Sequence, residues 1–543
     1  MSKKKNFWIY LIIGIVLFFG YVFLLGSYPL LDPDETRYVN MAKEMLSSRD
    51  FMTLYLNGEY FFEKPPLYFW LECIGFTLLG NVSEWTARLP IVALSILPLA
   101  LIFDLCRRIK GSRFALISSL VLLTSAEYVL LTKIAILDSV LTSLVASAIL
   151  FYFYTFFVQE KNKKYFWILT YIFTGLSVLA KGIPGLALPL GVIFISTIVF
   201  KTYKETFKYS ILGAILVLLI TVPWHVLMLK IYPDLFFDEY IYKHHILRFL
   251  GSEVIHRNQP WYFYLLTILW GIFPHIFVVL PKIVQNAFSS VKEKAINFKF
   301  DLKNNFSKFL LLATVASVVI MLFFSSSKAK LITYILPIYP FLAILIGNMW
   351  LNYIKNDNKI VTKSLLIMNG ILTFVGIVAP IVLIFLPKAI KSLFVPLLLL
   401  APVVILPFTF FIIKLLKKNK RFKAFLLQII FISVMIGVLT PFGFNVDYYF
   451  GQSDLMKFAQ MAKENQNTIS TYLVGRKYCL LYYSGLKKID FKTDEDMEWL
   501  KNELKKENNF VIMRNKKIKD LPVKIKEKGV KYSIIEGILD ERE

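Results

Sequence analysis

Residues 7–26 of the 543-residue chain read FWIYLIIGIVLFFGYVFLLG, an unbroken apolar run that follows Lys3, Lys4 and Lys5. A helix of about 20 apolar residues crosses the hydrocarbon core of a bilayer. Secretory signal peptides also combine a basic start with an apolar run, but their run is shorter and ends at a small-residue cleavage site. We therefore expect an uncleaved first membrane span.

The rest of the chain repeats this pattern, and 57% of its residues are hydrophobic. Apolar runs of at least about 17 residues are typical of membrane-spanning helices. Together with the first run, they predict a polytopic α-helical membrane protein with about 13 transmembrane helices. The further runs occupy residues 88–106, 114–132, 138–158, 165–180, 183–200, 209–229, 261–281, 309–325, 331–351, 364–387, 393–413 and 424–443.

Basic residues are concentrated in the loops between alternate predicted spans, on the side of Lys3 to Lys5. Lys and Arg accumulate in this way in short cytoplasmic loops, where they also meet anionic lipid. The net charge of +25 therefore requires no nucleic-acid partner, since no compact basic domain stands apart from the spans. We predict a multi-pass protein in contact with membrane lipids, with a cytoplasmic N-terminus and an extracytoplasmic C-terminal segment.

Polar segments divide the chain into two predicted domains. Residues 1–443 form the membrane domain, with a first outer loop at 28–87 and a second at 230–260. Residues 444–543 form a small extracytoplasmic α/β domain, because helix-like stretches alternate there with short apolar strand candidates. The helix-like stretches are 453–465, 493–506 and 516–528, and the strand candidates are 469–474, 509–513 and 531–535.

The first outer loop begins with an acidic motif, Asp32-Pro33-Asp34-Glu35-Thr36-Arg37-Tyr38. Apolar residues from Tyr38 onwards recur at helical spacing, so that Asp32 or Asp34 is suited to the N-cap position. Asp34, Glu35 and Arg37 then fall on the first helical turn. By itself, the pattern also fits a solvated helix start with no further role.

A second motif in the same loop reads Tyr60-Phe61-Phe62-Glu63-Lys64-Pro65-Pro66-Leu67-Tyr68. It predicts a helix that is entered through the prolines and continues to Leu79 in the membrane interface. A simple interfacial anchor fits this pattern. The alternative is functional, because Lys64 stands near a helix start, where unpaired N–H groups and the helix dipole favour an anion.

Further ionisable groups collect on the outer side when the predicted topology is followed. Ionisable groups close to hydrocarbon are costly, and lysines on this side run against the orientation bias. Each group alone fits snorkelling or local pairing, but their accumulation predicts a site for an anion such as a lipid-borne phosphate. The groups are Lys133, Asp138, Lys181, His225, His244, His245, Arg248, His256, Arg257, Lys328 and Lys330.

Five motifs occur in order: Asp-Glu-x-Arg-Tyr (34–38), Phe-Glu-Lys-Pro-Pro-Leu-Tyr-x-Trp (62–70), Ala-Arg-Leu-Pro (87–90), Lys-Gly-x-x-Gly (181–185) and Ser-Lys-x-Lys-Leu-x-Thr-Tyr-x-Leu-Pro (327–337). In this order they resemble the 4-amino-4-deoxy-L-arabinose lipid A transferase family, relatives of the dolichyl-phosphate-mannose protein mannosyltransferases with a GT-C fold. The resemblance covers about residues 28–340, and its most specific element is Phe-Glu-Lys-Pro-Pro.

The resemblance implies a glycosyltransferase that moves a sugar such as aminoarabinose from a polyprenyl-phosphate carrier to lipid A or a similar envelope acceptor. The reaction would take place on the outer face of the inner (plasma) membrane. A protein or surface polysaccharide acceptor remains open within the same enzyme class. A lipid or sugar transporter is the other class, and it would predict paired repeats and interrupted spans near the midplane.

The resemblance also implies roles for individual residues. Asp34 and Asp138 match acidic residues at or near the reaction centre, and Lys64 matches the ligand of the carrier phosphate. Glu63 and His245 match a pair that can hold a metal such as zinc, but two side chains are an incomplete zinc shell, and we expect no required cofactor. The other expected phosphate ligands are Arg37, Lys181, Arg248 and Lys330, and the expected cavity residues are Glu35, Glu63, Tyr60, His256, Arg257 and Tyr334.

Overall fold

The computed structural model of the chain describes residues 11–247, 258–293, 302–385, 388–519 and 521–538. These residues fall into two compact units. We call the first the helical unit; it comprises the described parts of Met1–Phe23, Glu63–Leu67 and Ile91–Leu439. We call the second the α/β unit; it comprises the described parts of Leu24–Phe62, Tyr68–Pro90 and Thr440–Glu543. The division into domains 1–443 and 444–543 stays a prediction.

Long apolar helices make up the helical unit. Every predicted run from 88–106 to 424–443 overlaps one of these helices or a consecutive pair of them. The helices are Glu84–Lys110, Ser112–Thr124, Ala126–Thr132, Leu137–Tyr154, Glu160–Lys181, Ile183–Phe200, Tyr203–Ile231, Pro233–Phe236, Phe263–Gly271, Ile276–Glu293, Asn305–Ser326, Tyr339–Lys355, Lys359–Phe385, Lys388–Lys417 and Arg421–Gly451; shorter π- and 3₁₀-helices cover Phe18–Val22, Phe237–Leu247 and Ile332–Ile338.

Within the described residues, eight helices are long and apolar enough to cross a membrane, or nine if the bent pair Ser112–Thr124 and Ala126–Thr132 is one span. This pair bends by 65°. The run predicted at 261–281 is likewise divided, into Phe263–Gly271 and Ile276–Glu293, with Pro274 in the break, where its missing N–H does not interrupt a helix. A polytopic helical membrane protein is confirmed, and the count of about 13 spans stays a prediction.

Two ion pairs of the helical unit each join two basic segments that connect its helices. Lys163 pairs with Glu205 at 2.8 Å, and Arg421 pairs with Asp357 at 2.7 Å. Lys163 lies near the start of helix Glu160–Lys181, which has 22 residues and is therefore about 33 Å long. Lys181, at the other end of this helix, is thus separated from Lys163 by roughly the thickness of a bilayer core.

The first-loop part of the α/β unit contains helices Asp34–Ser48 and Leu67–Leu79 and a hairpin of β1 (Tyr55–Leu56) and β2 (Glu59–Tyr60). Asn57 and Gly58 connect the two strands with positive φ angles, as an Asn-Gly hairpin turn requires. The side chain of Asn57 also exchanges two hydrogen bonds of 2.8 Å with the backbone of Ile489. The hairpin is thereby fixed to the C-terminal part of the same unit.

The C-terminal part is a five-stranded sheet with helices on both faces. The strands are β3 (Thr468–Tyr472), β4 (Asp490–Lys492), β5 (Asn509–Arg514), β6 (Val523–Lys528) and β7 (Tyr532–Ile538), and the helices are Ser453–Glu464, Tyr478–Ser484, Met497–Leu504 and Asn515–Ile518. The strand order is β4-β3-β5-β7-β6; β3 pairs in parallel with β4 and β5, and β7 pairs antiparallel with β5 and β6.

Alternation along β5 explains the two faces of this sheet. Phe510 and Ile512 join the core that includes helix Ser453–Glu464, whereas Val511 and Met513 pack with Leu500 on the other face. The predicted small α/β fold is confirmed. The predicted helix at 516–528 is wrong beyond Ile518, because residues 523–528 alternate between inward-facing and exposed lysine positions and form an edge strand.

Candidate active site

Asp138 is held by two side chains in the helical unit. Lys181 Nζ forms an ion pair with Asp138 Oδ1, and Thr333 Oγ1 donates a hydrogen bond of 2.7 Å to Asp138 Oδ2. The Lys181 ammonium also lies 4.2 Å from the centroid of the Tyr334 ring, within the range of a cation–π contact. The structure therefore brings together three of the predicted site residues, Asp138, Lys181 and Tyr334, from three separate segments.

The Lys-Gly-x-x-Gly motif forms the turn that presents Lys181. Helix Glu160–Lys181 ends there, and Gly182 has a φ of +73°, which residues other than glycine rarely adopt. A Cβ atom at Gly185 would lie 2.2 Å from the carbonyl oxygen of Ser177. The two glycines therefore permit a close helix–helix turn, and this turn fixes the backbone of Lys181.

Lys330 lies on the loop between helices Asn305–Ser326 and Ile332–Ile338, and its side chain is buried. Its ammonium donates hydrogen bonds to the carbonyl oxygens of Gln259, at 3.1 Å, and Ser327. Burial lowers the pKa of Lys330. These carbonyl contacts link the loop to residue 259, and the phosphate-binding role of Lys330 stays a prediction.

Glu63 and Lys64 belong to the helical unit and are both partly buried. Lys64 Nζ donates to the backbone carbonyl oxygen of Glu63 at 2.9 Å. Helix Leu67–Leu79 starts directly after the proline pair, so that the predicted helix after the prolines is confirmed. Lys64 precedes this helix by three residues, and its role as phosphate ligand stays a prediction.

The carboxylates of the acidic motif in the α/β unit lie in different environments. Asp32 is buried and accepts hydrogen bonds from Thr36 Oγ1 (2.8 Å), Cys479 N (2.9 Å) and Lys477 Nζ (3.1 Å). Helix Asp34–Ser48 has Pro33 at its N-cap, with no side-chain capping bond. The expectation that Asp32 or Asp34 caps this helix is thus wrong, because Asp32 binds the C-terminal part of the unit instead.

Asp34 is the most open carboxylate of the motif, with 54% of its side chain exposed. Its Oδ1 accepts a hydrogen bond of 2.8 Å from Arg37 Nη2, one helical turn further on. Arg37 also donates to Tyr38 Oη at 3.1 Å, and its guanidinium carbon lies 5.9 Å from the centroid of the Phe61 ring. The structure thus brings the predicted residues Asp34 and Arg37 together on an accessible helix start.

Glu35 differs from the expectation that it faces a substrate cavity. Its side chain is fully buried, and both oxygens accept hydrogen bonds from Arg88, at 2.8 and 2.7 Å. Arg88 further donates to the carbonyl oxygens of Leu25, Tyr28 and Pro29. Glu35 is therefore a structural partner of Arg88, since its side chain is fully buried and both oxygens are bonded to the guanidinium.

The structure describes some of the remaining predicted residues and not others. Tyr60 is half exposed on the hairpin, and its ring stacks on Phe62 with 6.1 Å between the centroids. Arg248, His256 and Arg257 lie outside the described residues, as does the side chain of His245. Among the described residues, no group of three or more His, Cys, Asp or Glu side chains could hold a metal ion. A metal at Glu63 and His245 stays a prediction.

Three side chains with structural importance were not among the predicted site residues. Thr333 and Arg88 both lie inside sequence motifs quoted above, so that these motifs could have identified both residues as candidates. Lys477 is 445 residues away from its partner Asp32. Only the folded arrangement of the α/β unit identifies this pair.

Comparisons with known proteins agree with the motifs. A family model described as dolichyl-phosphate-mannose-protein mannosyltransferase matches residues 6–236. The chain is 28% identical over 349 residues to the undecaprenyl phosphate-alpha-4-amino-4-deoxy-L-arabinose arabinosyl transferase 1 of Sodalis glossinidius, covering 64% of this chain and 59% of that protein. It is 30% identical over 370 residues to an uncharacterized protein of Aquifex aeolicus, covering 67% and 68% of the two chains. The chain belongs to the aminoarabinose lipid A transferase-like family.

Matches to the first curated members of this family cover 59–63% of their length. Solved structures cover more of the fold. The crystal structure of ArnT from Cupriavidus metallidurans bound to undecaprenyl phosphate has a TM-score of 0.77 and 20% identity, with 97% of each chain covered. Its apo form also gives 0.77, at 19% identity. The predicted GT-C fold with a C-terminal domain is therefore confirmed.

Proposed function

We propose that this protein transfers a sugar from a polyprenyl-phosphate carrier to a lipid acceptor at the outer face of the inner membrane. The observation that carries the proposal is the cluster of Asp138, Lys181 and Tyr334, in which Lys181 lies at the opposite end of its helix from Lys163 and the ion pair with Glu205. Basic loops are typical of the cytoplasmic side, so that the cluster belongs on the outer side. The names of the relatives and of the structural neighbour support a polyprenyl-phosphate carrier.

The chemistry explains why both signs of charge are needed. The bond between the anomeric carbon and the phosphate oxygen breaks, and the electron pair leaves with the polyprenyl phosphate. A new bond forms between the anomeric carbon and an acceptor oxygen, whose proton passes to a base if the acceptor is a hydroxyl group. Cations stabilise the leaving phosphate, and a carboxylate stabilises the positive charge that develops on the sugar.

We assign the phosphate to Lys64 and Lys181, which both belong to the helical unit. Asp34 serves as general base towards an acceptor hydroxyl, or orients an acceptor that is already an anionic phosphate. Its exposed side chain supports this role. Asp138 keeps Lys181 in position through their ion pair, and Thr333 fixes the second carboxylate oxygen.

The identities of the donor sugar and of the acceptor are also proposals. Aminoarabinose on undecaprenyl phosphate is the donor that the names of the relatives suggest, and lipid A is the corresponding acceptor. A protein or a surface polysaccharide as acceptor would use the same donor chemistry.

The test uses the purified full-length protein in liposomes, supplied with undecaprenyl-phosphate-linked aminoarabinose or mannose and with lipid A. Mass spectrometry should show the sugar on the acceptor and the released carrier phosphate. Lys181→Met should lower the rate by at least about 10²-fold, the scale for one preorganised electrostatic group. Lys163→Met is the matched control, because it removes an ion-paired lysine from the opposite end of the same helix. Absence of transfer with every carrier-linked sugar and acceptor would overturn the proposal.

A further inference from the structure

Two segments of the helical unit carry the groups around Asp138. Each of these segments also carries a second buried side chain, several residues away from the site. The first runs from helix Ala126–Thr132 into helix Leu137–Tyr154, which bears Asp138. The second is the 3₁₀-helix Ile332–Ile338, which bears Thr333 and Tyr334 and is followed at once by Tyr339. The bond between Thr333 and Asp138 joins the two segments at one point.

A second bond joins the same two segments. Tyr339 Oη donates a hydrogen bond of 2.6 Å to Glu127 Oε2, and both side chains are buried. Glu127 is in the first turn of helix Ala126–Thr132, which follows the 65° bend after Thr124. Asp138 and Glu127 are eleven positions apart on one segment, and Thr333 and Tyr339 are six apart on the other. The two segments are therefore joined at two points, one within the candidate site and one away from it.

The position of Gly271 makes room for this bond. A Cβ atom at residue 271 would lie 1.8 Å from Tyr339 Oη and 2.6 Å from Glu127 Oε2. Any side chain at this position would thus displace one of the two bonded groups, because the hydroxyl is attached to a rigid ring. Helix Phe263–Gly271 ends at this glycine, so that the last residue of the helix packs against the bond.

Glu127 is costly where it lies. A buried carboxyl group in a membrane-spanning region is expensive and marks a functional constraint more often than a packing choice. Among the described residues, Glu127 Oε1 has no hydrogen-bond partner. The single hydrogen bond from Tyr339 satisfies only part of the group, so that a purely structural role would be better served by an apolar pair of the same volume.

Movement at Glu127 would be transmitted to Asp138. Ser139 Oγ donates a hydrogen bond of 2.7 Å to the carbonyl oxygen of Leu131, which ties the end of helix Ala126–Thr132 to the start of helix Leu137–Tyr154. A shift of the short helix therefore changes the position of the residue next to Ser139, which is Asp138. Loss of the bond to Tyr339 would likewise release the segment that carries Thr333 and Tyr334.

We propose that Glu127 and Tyr339, with the space that Gly271 provides, are positioning residues for Asp138 and Lys181. They hold the 332–338 segment in register with the start of helix Leu137–Tyr154, so that the carboxylate, the ammonium and the Tyr334 ring stay together. This inference rests on the proposed function, because the positioned groups are those assigned to the transfer reaction.

The main test compares Tyr339→Phe with Tyr353→Phe in the full-length protein in liposomes. Both tyrosines are buried on helix Tyr339–Lys355 and both hydroxyls are hydrogen-bonded, Tyr353 to Thr362 at 2.9 Å. Tyr353 lies at the opposite end of the helix. Tyr339→Phe should lower kcat by about tenfold to 10²-fold, the range that follows when reacting groups are misplaced by about 1 Å. Tyr353→Phe should leave kcat within about twofold.

A conservative variant and a double variant separate positioning from general destabilisation. Glu127→Gln keeps a carbonyl oxygen for the Tyr339 hydroxyl and should retain most of the activity, whereas Glu127→Leu should lose as much as Tyr339→Phe. In an Asp138→Asn background, Tyr339→Phe should cause no further loss of kcat, because the group that it positions is already changed. Equal kcat for Tyr339→Phe and Tyr353→Phe, or a full additional loss in the Asp138→Asn background, would overturn the inference.

Hydrogen exchange gives a readout that does not need turnover. Backbone amides at 331–338 should exchange at least about tenfold faster in Tyr339→Phe than in wild type or in Tyr353→Phe. If the wild type transfers no sugar, the proposed function fails while this measurement still decides whether the bond fixes the segment. Unchanged exchange at 331–338 would refute the positioning role whatever the activity.

Discussion

The acidic motif of the α/β unit and the Asp138 cluster of the helical unit use the same residue types for different purposes. In the motif, the side chains of Asp32 and Glu35 are buried among several donors, and Asp34 alone is open. In the helical unit, Asp138 and Lys181 are paired yet retain some exposure, and an aromatic ring lies beside the ammonium. A carboxylate with a full set of buried donors holds the fold, whereas one with an open side can meet a substrate.

The largest effect should follow from Arg88→Met in the buried pair with Glu35. Removing one partner of a buried ion pair leaves an uncompensated charge, which costs about 3–5 kcal/mol. The variant also loses the stacking of the guanidinium over Tyr28, at 3.8 Å from the ring centroid. The melting temperature of the purified protein in detergent should therefore fall markedly.

Arg107→Met provides the matched control for this prediction. Arg107 pairs with Asp104 at 2.8 Å, but 47% of its side chain is exposed, so that its contribution should be below about 1 kcal/mol. Equal melting temperatures for the Arg88 and Arg107 variants would show that the buried pair does not hold the first loop, and the contrast between Glu35 and Asp34 would disappear.

The second prediction concerns Asp34→Asn, which should leave stability nearly unchanged and lower sugar transfer by at least about 10²-fold. More than half of the Asp34 side chain is exposed, and exposed ion pairs contribute about 0–1 kcal/mol. Initial rates of transfer in liposomes, measured beside melting temperatures, separate the two effects. Glu44→Gln, about three turns further along the same helix, is the control that should retain the wild-type rate.

Near-normal turnover by Asp34→Asn would remove this residue from the mechanism. A loss of activity that follows a parallel loss of stability would place Asp34 with Asp32 and Glu35, as a part of the fold. Either result would change which carboxylates are assigned to the fold and which to contact with a substrate.

Local and periodic signals made much of the fold predictable from the sequence. The apolar runs located the helices of the helical unit because burial in lipid demands long uninterrupted apolar segments. The pair of prolines predicted the start of helix Leu67–Leu79. The 65° bend at Ser125 was missed, because nothing in the run 114–132 departs from helical periodicity.

Features that depend on distant contacts were not predictable. Glu35 and Arg37 are both charged residues on one helical turn, and only the position of Arg88, 53 residues further on, makes Glu35 a buried group. Asp138 and Lys181 were predicted on chemical grounds, but their direct ion pair and the hydrogen bond from Thr333 to the second oxygen of Asp138 required the fold. The edge strand β6 was taken for helix because its lysines are compatible with both structures.

The third prediction uses pH to probe the pair of Asp32 and Lys477. Burial by itself lowers the pKa of Lys477, but the charge and hydrogen bond of Asp32 outweigh it and raise the pKa above its ordinary value. A raised folded-state pKa means that the stabilisation is complete below the unfolded value of about 10.4 and is lost as the pH rises through the folded value.

Lys477→Met should therefore cost about 1–2 kcal/mol between pH 6 and 9, since Asp32 keeps its bonds from Thr36 and Cys479. The difference in melting temperature from wild type should narrow only above about pH 10. Lys457→Met, which removes an exposed lysine paired with Glu527, is the control with little effect. A difference that closes between pH 6 and 8 would assign the pH response to another group.

The smallest effect is expected from chelation of divalent metal. Glu63 and His245 alone are an incomplete shell for zinc, which normally takes three or four protein ligands. Treatment of the purified protein with a chelator should change the rate of sugar transfer by less than about twofold, and Glu63→Gln should respond to added zinc no differently from wild type. A loss of more than about tenfold that zinc restores in wild type, and fails to restore in Glu63→Gln, would instead make the metal part of the site. In that case a third ligand must come from the substrate or from residues around His245, and the helical unit would contribute a cation as well as lysines to phosphate binding.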